Sequence, residues 1–205
     1  MKKLLLIGLL ASVLAGCNSD SNDELTCPPS PVAIDIANYA VVAEQDSANT
    51  LTPIAFDTYK IKLSGMGDGV YQDGNEPDPN KEYADCPVAA VVLGSINSIT
   101  AINVYSSADY SSELTAGMSL NSIFNVTEMY VNDFDYFNEG GYASVADFAD
   151  ILPTTAPVFI ELKPNQAPEL QSSHIFYIDI YFANGKTFTL ETEEVALFLG
   201  NHKRH

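Results

Sequence analysis

The chain reads as an all-β protein: a sandwich of about seven to nine strands with one short helix, or a β-barrel as the alternative. Three observations carry this reading. From Val32 onward, Val, Ile, Tyr, Phe and Thr come in short runs broken by Gly, Pro, Asn and Asp, as strands alternate with turns. Toward the C-terminus, apolar residues recur at every second position, the period of a strand with one buried face. Long helical periodicity is absent.

Strands are expected near 32–43, 56–64, 88–95, 98–105, 127–132, 157–163, 174–183 and 186–192, with a short final strand near 195–199. One helix is expected after Ser144. The Ser144 hydroxyl can cap it, Asp147 follows three residues on, and Val145, Phe148, Ala149 and Leu152 form an i, i+3, i+4, i+7 stripe. Pro153 ends it. A single turn is expected around Ser119–Phe124.

The C-terminal hairpin can be read to the level of register. Phe176, Ile178, Ile180 and Phe182 alternate on one face of its first strand, and Phe188 and Leu190 on one face of its second. A two-residue Asn184-Gly185 turn would mix the faces. A three-residue loop, Ala183-Asn184-Gly185 with Gly185 left-handed, pairs Ile180 with Phe188 and Ile178 with Leu190, so both apolar rows share one core. Tyr177, Asp179 and Tyr181 then lie on the opposite face. Short strands, few helices and Pro-bearing loops at 153–157 and 164–168 suggest an immunoglobulin-like sandwich.

The N-terminus carries an address. Lys2 and Lys3 precede an apolar run from Leu4 that is too short to span a bilayer stably. It ends in Leu14-Ala15-Gly16-Cys17, which resembles the lipobox of bacterial lipoproteins. That resemblance implies cleavage after a signal peptide at 1–16. Diacylglycerol then joins Cys17, and a further acyl chain such as palmitate joins its amino group. Two or more acyl chains give stable anchoring. Asn18 is similar to the outer-membrane sorting residue of that class, so an outer-membrane address facing the periplasm or the exterior is expected. Residues 17–27 are polar and acidic and read as a flexible tether. Residues 28–200 read as one domain, and 201–205 as a disordered tail.

The chain holds 27 acidic and 9 basic residues, a formal net charge of −18. Loss of Lys2 and Lys3 with the leader makes this −20. Such a field repels nucleic acid and anionic headgroups and attracts cations. With Cys17 acylated, Cys27 and Cys86 remain, and an even pair outside the cytoplasm reads as a disulfide. The loop-entropy view gives such a bond roughly 4 kcal/mol.

Cys27-Pro28-Pro29-Ser30-Pro31, Ile99–Val104 with Gly117–Phe124, Pro157–Lys163 and the final hairpin together resemble lipoproteins of Bacteroidetes type. The resemblance covers about half the chain. It implies the same address and a β-sandwich, and it adds nothing about catalysis.

Two segments offer chemistry. Residues 65–85 are rich in Gly, Asp and Asn, and Asp68, Asp73, Asn75 and Asp78 are the oxygen donors a calcium ion would use. The spacing is not that of an EF-hand, because Pro77 and Asp78 stand at the fifth and sixth positions counted from Asp73. The plainer reading is a solvated hairpin tip. In residues 130–142, Tyr130, Asp133, Asp135, Tyr136, Phe137 and Tyr142 interleave rings with carboxylates, as a peptide or glycan site does. Asp133 and Asp135 are also a candidate acid/base pair. His174 opens a strand and is expected at its surface or edge. A Ser-His-Asp enzyme would have to rely on it, since no nucleophile elbow, zinc helix, phosphate loop or redox Cys pair occurs. The expectation is a non-catalytic binding or accessory module for an envelope protein, peptide or glycan. A carboxylate-dependent envelope hydrolase and a purely structural envelope component are the alternatives.

Overall fold

A computed structural model describes residues 26–45, 53–71, 76–84, 94–130, 136–137, 144–169 and 172–198. These residues form an all-β sandwich. Its strands are β1 (Ala33–Gln45), β2 (Ile54–Ala55), β3 (Tyr59–Val70), β4 (Gly94–Ser95), β5 (Ser98–Ser106), β6 (Phe124–Tyr130) and β7 (Tyr136–Phe137). After helix α1 (Val145–Ala149) come β8 (Thr154–Thr155), β9 (Phe159–Pro164), β10 (Ser172–His174), β11 (Phe176–Phe182), β12 (Thr187–Glu191) and β13 (Val195–Phe198). One sheet has the order β4-β1-β3-β9-β6-β7, a second β12-β11-β5-β8, and a third β10-β13-β2.

Side-chain alternation builds the core between the sheets. Phe176, Ile178, Ile180 and Phe182 of β11 are buried, as are Ile102 and Val104 of β5. The six-stranded sheet answers with Tyr39, Tyr59, Ile61, Leu63, Phe124, Met129, Ile160 and Leu162. Rings meet across the layers: Phe176 lies 5.6 Å from Tyr59 and 5.2 Å from Phe124, and Tyr39 lies 6.3 Å from Phe182. Each such side chain contributes about 1.5–3 kcal/mol on full burial. The Tyr39 hydroxyl keeps a partner by donating to the Pro157 carbonyl at 2.6 Å.

The hairpin has the three-residue loop. Ile178 faces Leu190, Ile180 faces Phe188, and Gly185 has φ +85°. The helix forms with Ser144 as its cap, accepting from the Asp147 amide at 3.1 Å. It buries Val145 and Phe148 but leaves Ala149 exposed, so its apolar stripe is narrower than expected.

Other elements differ from expectation. Residues 56–58 form a 3₁₀ turn, and the strand that follows runs on to Val70. The expected strand 174–183 is two elements in different sheets. His174 closes β10, and the Ile175 amide donates to Ser107 Oγ at 2.9 Å before β11 begins. The strand expected at 127–132 begins earlier, at Phe124. Of the strand expected at 88–95, residues 88–93 lie outside the described residues, and Gly94–Ser95 pair in parallel with β1. The two-residue strands β2 and β8 are too short to leave a periodic signal.

The start of the expected hairpin tip at 65–85 is strand instead: Gly65, Gly67 and Gly69 sit in β3, paired with Tyr39, Ile36 and Ile34 of β1. The ladder slips between Ile36 and Asn38, and a Cβ on Gly67 would lie 1.8 Å from the Asp35 carbonyl oxygen. A close backbone approach is the constraint there. The same bulge takes a side-chain partner: Asn97 Oδ1 accepts from the Ile36 amide at 2.6 Å, and Asn97 Nδ2 donates to Asp35 at 2.9 Å. Gly67→Ala is expected to destabilise the fold by about 2–3 kcal/mol in urea unfolding, since the clash is with backbone. Gly185→Ala, strained in φ but facing open space, is expected to cost only about 1 kcal/mol.

Candidate functional site

The outer face of the four-stranded sheet carries a grid of ring, carboxylate, amide and hydroxyl groups. Period two places it there: because Phe176, Ile178 and Ile180 point inward, Tyr177, Asp179 and Tyr181 point outward. Register supplies its rows. Glu191, Tyr177 and Tyr105 lie side by side, then Thr189, Asp179 and Asn103, then Thr187, Tyr181 and Ala101. Ser119, bridged to Tyr105, extends the first row.

Tyr105 and Tyr177 stack at 5.2 Å with planes 22° apart. Both are half-buried, whereas Tyr181 is 40% exposed. Thr189 Oγ1 donates to Asp179 Oδ1 at 2.6 Å, which fixes the carboxylate beside the rings. Partial burial raises the Tyr105 hydroxyl above its ordinary range, and the Asp179 charge and hydrogen bond add to the effect. Asp179 and Glu191 are the charged groups in the rows, and both are acidic.

Side chains support the margins of this sheet. Beyond β8, the Asn121 side chain serves the β5 edge as a strand would: its Oδ1 accepts from the Val104 amide at 2.8 Å, and its Nδ2 donates to the Ile102 carbonyl at 3.0 Å. At the hairpin tip, Lys186 Nζ approaches Asp35 Oδ1 at 4.0 Å, tying the loop to β1.

His174 corrects the expectation of a surface role, for it is fully buried, while the strand that carries it, β10, is an edge strand of its sheet. Its Nδ1 lies 2.8 Å from Ser106 Oγ and its Nε2 2.6 Å from Ser172 Oγ. Phe176 stacks on its ring at 5.6 Å and Tyr110 lies at 5.3 Å. Both ring nitrogens engage hydroxyls, and Ser106 is itself buried, so the imidazole fastens β5 to β10 from inside the core. Burial lowers its proton affinity. A buried Ser–His contact of this kind gives a substrate no approach to the hydroxyl.

The residues singled out in the sequence fare unevenly. Asp68 lies in β3 opposite Asp35, and Asp78 accepts from the Asn80 amide at 2.9 Å in a local turn. Both are exposed. Asp73 and Asn75 lie outside the described residues, and no group of three or more His, Cys, Asp or Glu suited to a metal occurs among the described ones. Tyr136 and Phe137 form an edge strand rather than loop, pairing with Tyr130 and Met129. Asp133, Asp135 and Tyr142 lie outside the described residues, as do Cys17 and Cys86. Cys27 is exposed just before β1. The hairpin register already placed Tyr177, Asp179 and Tyr181 together. Tyr105 could be added only by knowing that β5 pairs with β11. No helix among the described residues is long and apolar enough to cross a membrane. No family model, curated protein or solved structure matches this chain.

His174 makes stability depend on pH. Its folded-state affinity for a proton is below the unfolded value of about 6.5, so below that pH the unfolded chain binds more protons and stability falls. Stability is fully present above pH 6.5 and declines as pH drops toward the lower folded value. Urea unfolding of the wild type and His174→Gln across this range should show their stability difference shrinking as pH falls. A constant difference would remove His174 from the acid response.

Proposed function

We propose that the chain is a lipid-anchored, non-catalytic binding module of the bacterial cell envelope, which holds a partner protein, peptide or glycan on the outer face of its four-stranded sheet. The observation that carries this reading is the Tyr105–Tyr177 stack with Asp179 beside it on an open face. Tyrosine offers a large rigid contact area at low entropic cost, with a hydroxyl that keeps a polar partner.

The address rests on the lipobox and on the acidic tether of residues 17–27. Acyl chains on Cys17 would hold the domain at the outer membrane. A Cys27–Cys86 disulfide belongs to the same proposal. The Ala84 amide donates to the Thr26 carbonyl at 3.0 Å, and Lys81 Nζ donates to Thr26 Oγ1 at 3.0 Å. The segments leading into the two cysteines thus run beside one another.

The face is tested with peptide and oligosaccharide arrays. Tyr105→Ala with Tyr177→Ala is expected to abolish the strongest wild-type signals while shifting the melting midpoint by no more than about 4 °C. Retained binding by this folded variant would refute the site. Peptide mapping of protein from its native host is expected to find acyl groups on Cys17 and, before reduction, a Cys27–Cys86 crosslink. A free thiol at either place would refute that part.

A further inference from the structure

We infer that the occupant of the tyrosine face is a cationic, arginine-bearing extended segment of a partner protein, an inference that rests on the binding reading above. The first reason is a charge imbalance. Across the three rows the charged groups are Asp179 and Glu191, with no lysine or arginine among them. Three lysines elsewhere are engaged with other acids, and Lys81 donates to Thr26 Oγ1. Lys186 reaches toward Asp35 at 4.0 Å, Lys60 pairs with Glu161 at 3.3 Å, and Lys62 pairs with Glu44 at 2.6 Å. Among the described residues, the rows therefore hold no countercharge of their own.

The second reason is the form of the groups. Two near-parallel rings with a carboxylate one row away match a planar cation that stacks and donates at once. A guanidinium does both, with π-faces for the rings and forked N–H donors for the carboxylate. A neutral sugar could stack on the rings but would bring no charge to Asp179 or Glu191. A phosphate-bearing ligand would be repelled. Position supplies the third reason: the rows run out to the edge strand β12, so a ligand lying across them follows an extended path.

Titration calorimetry on the full chain would use three ligands: a peptide of alternating Gly and Arg, its citrulline counterpart, and a neutral β-linked glucose oligomer. The arginine peptide is expected to bind about tenfold more tightly than the citrulline one, with the gap narrowing as salt rises. Asp179→Asn with Glu191→Gln, and Tyr105→Ala with Tyr177→Ala, should each weaken it about tenfold. Glu76→Gln with Glu82→Gln removes the same charge from exposed positions off the sheet and should change affinity by less than about twofold. Equal binding of the arginine and citrulline peptides to the wild type would overturn the inference without any variant. So would an equal loss in the Glu76/Glu82 variant, which would mark the attraction as diffuse. Glucose-oligomer binding that is lost in the Tyr105/Tyr177 variant would overturn the cationic occupant yet leave the binding face standing. If no ligand responds to that variant, both readings fall.

Discussion

Strict alternation along Phe176–Phe182 is the constraint on which both the fold and the site depend. Four inward positions, Phe176, Ile178, Ile180 and Phe182, meet the opposing sheet and bury completely or nearly so. A slip of one residue would exchange them for Tyr177, Asp179 and Tyr181, and would bury a carboxylate. Core burial at about 1.5–3 kcal/mol per side chain and the cost of an unpaired buried charge thus act in the same direction. The outward grid inherits its geometry from the core. Tyr105 meets Tyr177 because the inward residues Val104 and Ile178 are paired in the same ladder.

Polar groups at the sheet margins are satisfied by side chains where strands run out. Asn97 takes the Ile36 amide at the β1 bulge, and Asn121 takes both backbone groups offered by the β5 edge. His174 does comparable work inside, with a hydroxyl on each ring nitrogen. An unmade hydrogen bond at such a position costs about 1–3 kcal/mol, more than the net worth of most bonds that are made. Two amides and an imidazole therefore contribute out of proportion to their number.

What the sequence disclosed was what neighbouring residues decide. The Ser144 cap, the left-handed Gly185 and the pairing of Ile180 with Phe188 all follow from local geometry and period two. What it concealed depended on residues far apart. His174 reads as the start of an exposed strand until Ser106, 68 positions earlier, is known to lie against it. Tyr105 is one ring among many until β5 is paired with β11. Gly65, Gly67 and Gly69 mislead for a related reason. A turn and a tight cross-strand approach both require glycine, and only the partner strand distinguishes them. Asp68, named as a donor of the expected calcium loop, lies in that strand rather than in a loop.

The charge on this chain is large, yet its local distribution matters more than its sum. Screening at physiological ionic strength confines the reach of an exposed charge to about 8 Å. A ligand on the tyrosine face therefore responds to Asp179 and Glu191 and hardly at all to the remainder of the −18. Lys60 and Glu161 are mostly withdrawn from solvent, with side-chain exposures of 21% and 7%, and Thr127 gives the carboxylate a second partner at 2.8 Å. That pair holds neighbouring strands of the six-stranded sheet and keeps a cation on the opposite layer of the sandwich. Two carboxylates beside a tyrosine stack, with no lysine or arginine in their rows, place the preference for a cation at this face, within the screening distance of the rings.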